Sequence, residues 1–170
     1  MTRFKIIGPF RLHFKTQGRG FRIVYENFWK QDPQRVALRE RKGVYVFGIG
    51  AGKVFTPIYV GRATRTAFKT ECFNPTNKRK YRDGVRRYRS CTPVLILVTH
   101  PKQRGRLNCT AIDEIETFFV QLCAEKNPHL QNLKKRKVPQ WGIEGVIRCS
   151  RRGRRHESEV ALKTMAGLKR

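Results

Sequence analysis

Acidic residues are scarce in this sequence: 12 Asp and Glu stand against 38 Lys and Arg in 170 residues, a formal net charge of +26. Self-repulsion on that scale works against a compact state unless a polyanion or salt offsets it. Nucleic acid is the partner this balance predicts, because its phosphates release counterions when Lys and Arg neutralise them. A membrane surface is the competing partner, but the sequence has no long basic amphipathic stretch with a clean apolar face. Long apolar runs are lacking too. The longest, residues 94–98, falls far short of the ~20 residues that span a bilayer. No apolar h-region follows the first residues, so no secretory signal is expected. The expected location is the cytoplasm, with association to the nucleoid when bound to DNA.

Cysteine is sparse and unpatterned. Cys72, Cys91, Cys109, Cys123 and Cys149 include no Cys-x-x-Cys pair, which argues against a disulfide framework and against a zinc ribbon. They read as small core or half-buried thiols in a reducing compartment. His13, His100, His129 and His156 are scattered and suggest no metal cluster. Hydrophobic residues make up 39% of the chain, enough for one modest core. The length fits one domain with terminal extensions. The expected divisions are an N-terminal extension over residues 1–42 packed on the core, a core over 43–132, and a basic extension over 133–170.

Along the chain, residues 21–25 could form a strand and 34–41 a short helix. Two apolar runs, 44–49 and 54–60, flank a turn containing Gly50 and Gly52 and read as a β-hairpin. Residues 64–72 have helical potential, and 77–88 form a basic, helix-compatible stretch that Gly84 weakens. The continuous run at 94–98 wants burial on both faces and is the candidate central strand. The strongest helix covers 111–126, where Ile112, Ile115, Phe118, Phe119, Leu122 and Cys123 recur at helical spacing. Thr110 and Asp113 occupy the places of a capping box, and Pro128 stops the helix. A short apolar stretch at 143–147 and a small helix at 159–168 follow. These elements predict an α/β fold: a small central β-sheet begun by the hairpin, flanked by helices, with a basic C-terminal extension.

The hairpin carries Gly43-Val44-Tyr45 on its first strand and Tyr59-Val60-Gly61 on its second, presenting two phenols near one end of a sheet. These residues resemble the paired signature of the GIY-YIG nuclease family. Downstream, Glu116 precedes Phe118-Phe119-Val120, and Asn127-Pro128 leads to Asn132, similar to that family's metal-binding Glu and later Asn. The resemblance covers about residues 43–132. It implies hydrolysis of phosphodiester bonds with one divalent cation, Mg2+ or Mn2+, held by Glu116. It also implies Tyr45 as proton acceptor or orienter of the attacking water, with Tyr59 as its neighbour. Where the family often has an Arg, about eight residues after the second motif's Gly, this chain has Lys69; Arg62 and Arg65 stand close by, and either could contact the scissile phosphate. Lys supplies a point charge, not a bidentate fork, so the exchange is not chemically neutral. Where some members have a His or Tyr one turn further on, this chain has Phe73.

Helix geometry is compatible with Glu116 as the metal ligand, because Mg2+ takes hard oxygen donors. At ~100° per residue the apolar face of 111–126 centres near Ile112, Ile115, Phe119 and Leu122. Asp113 and Glu114 then point away from that face, Glu125 sits near solvent, and Glu116 lies on the rim. A rim Glu suits a ligand, and equally a solvated surface position. Tyr45 and Tyr59 could instead be core tyrosines with satisfied hydroxyls. A free phenol has a pKa of ~10, so a basic role needs help from a metal or nearby cations. Gly61 could permit a tight strand exit that lets backbone N–H groups approach a phosphate. Asn132 could be a helix-to-loop cap or a residue supporting the site.

Three basic clusters complete the pattern: Lys78, Arg79, Lys80, Arg82, Arg86, Arg87 and Arg89; Lys134, Lys135, Arg136 and Lys137; Arg151, Arg152, Arg154 and Arg155. Three on one small domain are expected to contact backbone phosphates, and Tyr81, Tyr88 and Trp141 could stack on bases between them. The functional expectation is a Mg2+-dependent endonuclease acting on nucleic acid, double-stranded DNA above all. The alternative is a non-catalytic basic nucleic-acid-binding protein on the same scaffold.

Overall fold

A computed structural model of the chain describes residues 2–17, 20–52, 54–88, 91–102, 107–136, 143–144, 148–149 and 156–166. The chain divides into two compact units, Met1–Arg136 and Lys137–Arg170. The first begins with three strands, β1 (Lys5–Arg11), β2 (Phe14–Gln17) and β3 (Gly20–Ile23), then a single 3-10 turn at Phe28–Lys30 and helix α1 (Pro33–Leu38). The hairpin strands β4 (Gly43–Ala51) and β5 (Val54–Ala63) follow, then helices α2 (Phe68–Glu71) and α3 (Pro75–Val85). Strand β6 (Thr92–Thr99) and helix α4 (Cys109–Lys126) complete the framework. The second unit holds a parallel pair, β7 (Ile143–Glu144) with β8 (Arg148–Cys149), and helix α5 (Glu157–Met165).

One four-stranded antiparallel sheet, in the order β1-β6-β4-β5, organises the first unit. The run predicted to be central is central: β6 lies between β1 and β4, with Val94, Leu95, Leu97 and Val98 buried. Side chains alternate across the sheet. One face carries Tyr45, Phe47 and Leu97 into a core closed by Phe28, Phe68 and Tyr81; the other carries Val44, Val60 and Val98 against Ile112 and Val120 of α4. The sheet is thus flanked by helices on both faces.

Several boundaries differ from the sequence reading. The N-terminal stretch supplies a strand of the main sheet: Lys5–Arg11 pairs antiparallel with β6. Gly8-Pro9 interrupts its apolar pattern and coincides with a shift in register, and an edge strand tolerates both residues. Gly50 belongs to β4, facing Phe55, and the turn lies around Gly52, whose φ of 60° is left-handed. Gly84 does not break α3. A Cβ there would lie 2.2 Å from Ile58 Cγ2, so the glycine is what lets α3 sit close on β5.

Helix α4 departs from expectation in two ways. Its N-cap is Asn108, whose side chain accepts from the Ala111 amide at 3.0 Å, not a capping box of Thr110 and Asp113. Its buried face is also turned, by most of one residue's ~100° step. Ile112 and Val120 are fully buried while Leu122 is 38% exposed. Glu116 lies angularly between Ile112 and Val120, so this rotation carries Glu116, and Asp113 beside it, towards the sheet edge at β5.

That edge is covered. Past α4, Asn127 Nδ2 donates to Pro57 O at 2.7 Å and the Gln131 amide donates to Ile58 O at 2.8 Å. Asn132 then pairs with Val60 through both ends of its side-chain amide. The covering segment blunts an otherwise open strand and brings residues 132–135 over Tyr59 and Arg62. A register shift between Phe47 and Gly48 leaves Ile58 bulged out of the β4–β5 ladder, next to Tyr59. Bulges of this kind re-aim neighbouring side chains. No described helix is long and apolar enough to cross a membrane.

Candidate active site

The two tyrosines of the hairpin are neighbours, with ring centroids 6.3 Å apart, but their surroundings differ. Tyr45 is 1% exposed, and its hydroxyl accepts a 2.8 Å hydrogen bond from Asn77 Nδ2 on α3. Asn77 is held by its second N–H, which donates to Glu71 O at 2.7 Å. Tyr45 in turn hydrogen-bonds Tyr59, whose oxygen also accepts from Lys80 Nζ at 3.2 Å. Tyr59 itself borders a cavity.

Burial sets the ionisation of this chain of groups. Desolvation pushes the Tyr45 phenol far above its ordinary value. Tyr59 is pushed up to about 12, by burial first and then by the Glu116 and Glu71 carboxylates, with the Tyr45 hydrogen bond opposing. Lys80 is lowered, by burial and by Arg79, while Glu116 raises it. Both phenols are therefore neutral at ordinary pH. Sequence analysis expects Tyr45 as proton acceptor or orienter of the attacking water; the structure places it buried, with its hydroxyl held by Asn77 and its ring beside that of Tyr59.

Tyr59, Arg62, Lys80, Glu116, Asn132 and Lys135 line a cavity of about 330 Å³. Glu116 reaches it from α4 with its side chain 14% exposed. Arg62 Nε lies 3.6 Å from Glu116 Oε2, and the Arg62 guanidinium also pairs with Asp113 Oδ1. Lys135 Nζ lies 2.7 Å from the same Glu116 oxygen and 2.5 Å from the same Asp113 oxygen. Two carboxylate oxygens, one turn apart on α4, are thus each shared between two cations.

Of the three basic residues proposed for the phosphate, the structure brings only Arg62 to Glu116. Lys69 pairs with Glu40 at 2.7 Å, and neither it nor Arg65 lines the cavity. Arg65 is exposed, with its carbonyl accepting from Lys42 Nζ at 3.0 Å. Asn132 neither caps a helix nor reaches into the cavity with a free amide: Oδ1 accepts from Val60 N at 2.9 Å and Nδ2 donates to Val60 O at 2.8 Å. Gly61 has the Tyr45 ring against it, so its role is space.

The basic clusters separate. Lys78 lies over the Tyr25 ring, Lys80 and Lys134 face the cavity, and Arg79, Arg82, Arg86 and Arg87 are exposed. Arg136 donates to Pro128 O at 2.6 Å. Tyr81 cannot stack on bases: it is fully buried, parallel to Phe47 at 3.8 Å, with its hydroxyl donating to Cys72 O. Tyr88 packs partly buried against the same core. Arg89, Lys137, Trp141, Arg151, Arg152, Arg154 and Arg155 lie outside the described residues.

Two participants were missed. Asp113, dismissed as pointing away, sits three residues before Glu116; that i, i+3 spacing was the available signal. Asn77 had none, because only the packing of α3 against β4 brings it to Tyr45.

Among the described residues no group of three or more His, Cys, Asp or Glu side chains gathers. A Mg2+ or Mn2+ ion would have to be held by Glu116, with or without Asp113, and completed by water and substrate oxygens. That donor set fits a hard divalent cation, which is commonly bound through one or two carboxylates plus phosphate. Comparisons with protein-family models, with curated proteins and with solved structures each return no match.

Proposed function

We propose that this protein is a divalent-metal-dependent endonuclease of the GIY-YIG type that hydrolyses phosphodiester bonds of nucleic acid, double-stranded DNA first among them. The observation that carries the reading is convergence: the carboxylate of Glu116, the phenol of Tyr59 and the cations Arg62 and Lys80 face one cavity at the edge of the signature hairpin. Binding alone does not require a half-buried carboxylate among cations. Mg2+ or Mn2+ held at Glu116 supplies a Lewis acid for a phosphoryl oxygen.

The chain's own groups do the rest. Arg62 and Lys80 offset negative charge on the phosphate as it rises towards the transition state. Tyr59, kept neutral by burial, donates a hydrogen bond into the cavity, to a phosphate oxygen. Tyr45, fixed by Asn77, holds Tyr59 in place. Exposed Arg79 and Arg82 on α3, with Arg86 at its C-cap, supply phosphate contacts that position a duplex without reading it. The arginines at 151, 152, 154 and 155 are assigned the same role on sequence grounds.

Glu116→Gln tests the reading. Nicking of supercoiled plasmid with Mg2+ should fall by about 10²–10³-fold, EDTA should abolish the parent's activity, and duplex affinity should persist. Cleavage by the variant at the parent's rate would refute the assignment. A second reading, a non-catalytic nucleic-acid-binding protein, is favoured by one observation: Asp113 and Glu116 are already neutralised by Arg62 and Lys135. It requires that no metal produce cleavage of any duplex or single strand.

A further inference from the structure

Lys135 has a left-handed backbone, φ 65°, a conformation disfavoured for residues with a Cβ; among the described non-glycine residues only Asn27 shares it. The segment that holds it there is anchored to β5 by Gln131 and Asn132. From that place its ammonium bridges Asp113 and Glu116, 2.5 and 2.7 Å from one oxygen of each. A compact, hard cation between two carboxylate oxygens is where a divalent ion would be expected to sit.

We propose that Lys135, beside Arg62, is the displaceable counter-ion of the acidic pair, and that metal enters Glu116 by displacing the Lys135 ammonium onto a phosphate of the bound nucleic acid. The inference rests on the assignment of Glu116 as metal ligand. Its physical basis is charge. Arg62, Lys80, Lys134 and Lys135 all line the cavity, with Glu116 the one carboxylate among its lining residues. A divalent ion entering alone meets Coulombic repulsion from all four cations. A phosphodiester backbone brings the negative charge that offsets the ion and gives the displaced ammonium a new partner. Metal and nucleic acid should then raise each other's affinity by one common factor, as linkage requires. Lys135 acts in this scheme as a positioning residue that makes metal loading depend on substrate.

The test is Mn2+ binding, by calorimetry or by the electron paramagnetic resonance of free Mn2+, to the full chain with and without a phosphorothioate duplex that resists cleavage. The parent should bind Mn2+ weakly alone and at least tenfold more tightly with duplex. Lys135→Met should bind Mn2+ alone about tenfold more tightly than the parent, and duplex should then raise that affinity by a smaller factor than it does in the parent. Lys135→Gly removes the same charge while relieving the left-handed backbone, so it guards against a variant that fails to fold. If both variants bind Mn2+ no more tightly than the parent while Glu116→Gln still weakens binding, the displacement scheme is wrong and the metal assignment stands. If Glu116→Gln leaves Mn2+ affinity unchanged in every background, the assignment of the ligand itself has failed.

Discussion

The hydroxyl oxygen of Tyr45 lies 2.3 Å from where a Cβ on Gly61 would stand, and two of its ring carbons lie within 2.8 Å of that point. The two residues face each other across β4 and β5. Position 61 is thus a glycine because Tyr45 needs its space. A Gly61→Ala substitution pushes the ring off its place against Asn77. We expect a loss of about 1–3 kcal/mol, the usual scale of overpacking, read as a lower urea midpoint. A Gly61→Ala, Tyr45→Leu double variant should lose less than the sum of the single losses. An additive result would mean that the two residues do not share the space.

The tyrosines should separate on substitution. Tyr45→Phe removes the acceptor of a buried Asn77 N–H, and an unsatisfied buried donor costs about 1–3 kcal/mol. Its effect on turnover should be secondary to that instability. Tyr59→Phe keeps the ring but removes the oxygen that partners Tyr45 and Lys80, so it costs some stability, about 1 kcal/mol, while turnover at saturating substrate falls by about 10²-fold. Equal melting and equal turnover for both variants would dissolve the distinction.

Buried phenols also set an alkaline limit on stability. Burial raises Tyr25, Tyr45, Tyr81 and the Cys72 thiol above their ordinary values in the folded chain. In the unfolded chain these phenols ionise near pH 10. Above that pH the unfolded state binds fewer protons than the native state, so unfolding free energy falls as pH rises. The slope is about 1.4 kcal/mol per pH unit for each such phenol. Below pH 9 the phenols contribute no pH dependence. Melting temperature should therefore be flat with respect to the phenols up to about pH 9, with a first decline above about pH 8.5 from the Cys72 thiol, and drop steeply beyond about pH 10. Tyrosinate absorbance should appear together with unfolding.

What could be read in the sequence was what local pattern controls. The hairpin announced itself through two apolar runs around glycines, β6 through its unbroken β-branched and leucine run, and α4 through its helical period. Glu116 was singled out by its resemblance to the GIY-YIG pattern; the helical period only placed it on a rim, where a solvated position was equally open. Strand β1 was hidden because Gly8 and Pro9 break its alternation and its pairing partner lies about ninety residues on, at Leu95 and Leu97. The face of α4 was misjudged because six apolar positions cover a broad arc, and contact with β4 and β5 decides which part is buried. Asp113 fell on the wrong side of that decision. Lys135 looked like one lysine in a basic run; only the anchoring of its segment to β5 separates it from Lys134.

Asn132 is the test of that anchoring. Its side-chain amide meets both the N–H and the carbonyl of Val60, imitating the strand that β5 lacks on its open side. A residue that served chemistry directly would lower turnover on substitution without disturbing the fold. Asn132→Ala should do the reverse first: it leaves two buried backbone groups of Val60 unpaired, at about 1–3 kcal/mol each where water does not reach them. Asn132→Asp keeps the acceptor but sets a carboxylate against the Val60 carbonyl, so it should be no better tolerated. Hydrogen exchange should quicken at Val60 and Gln131, whose amides depend on the docked segment, while the β4–β6 ladder keeps its protection. Turnover should fall only in proportion to the loss of Lys135 and Lys134 from the cavity. Slow exchange at Val60 in an inactive Asn132→Ala protein would instead make Asn132 a participant in the reaction.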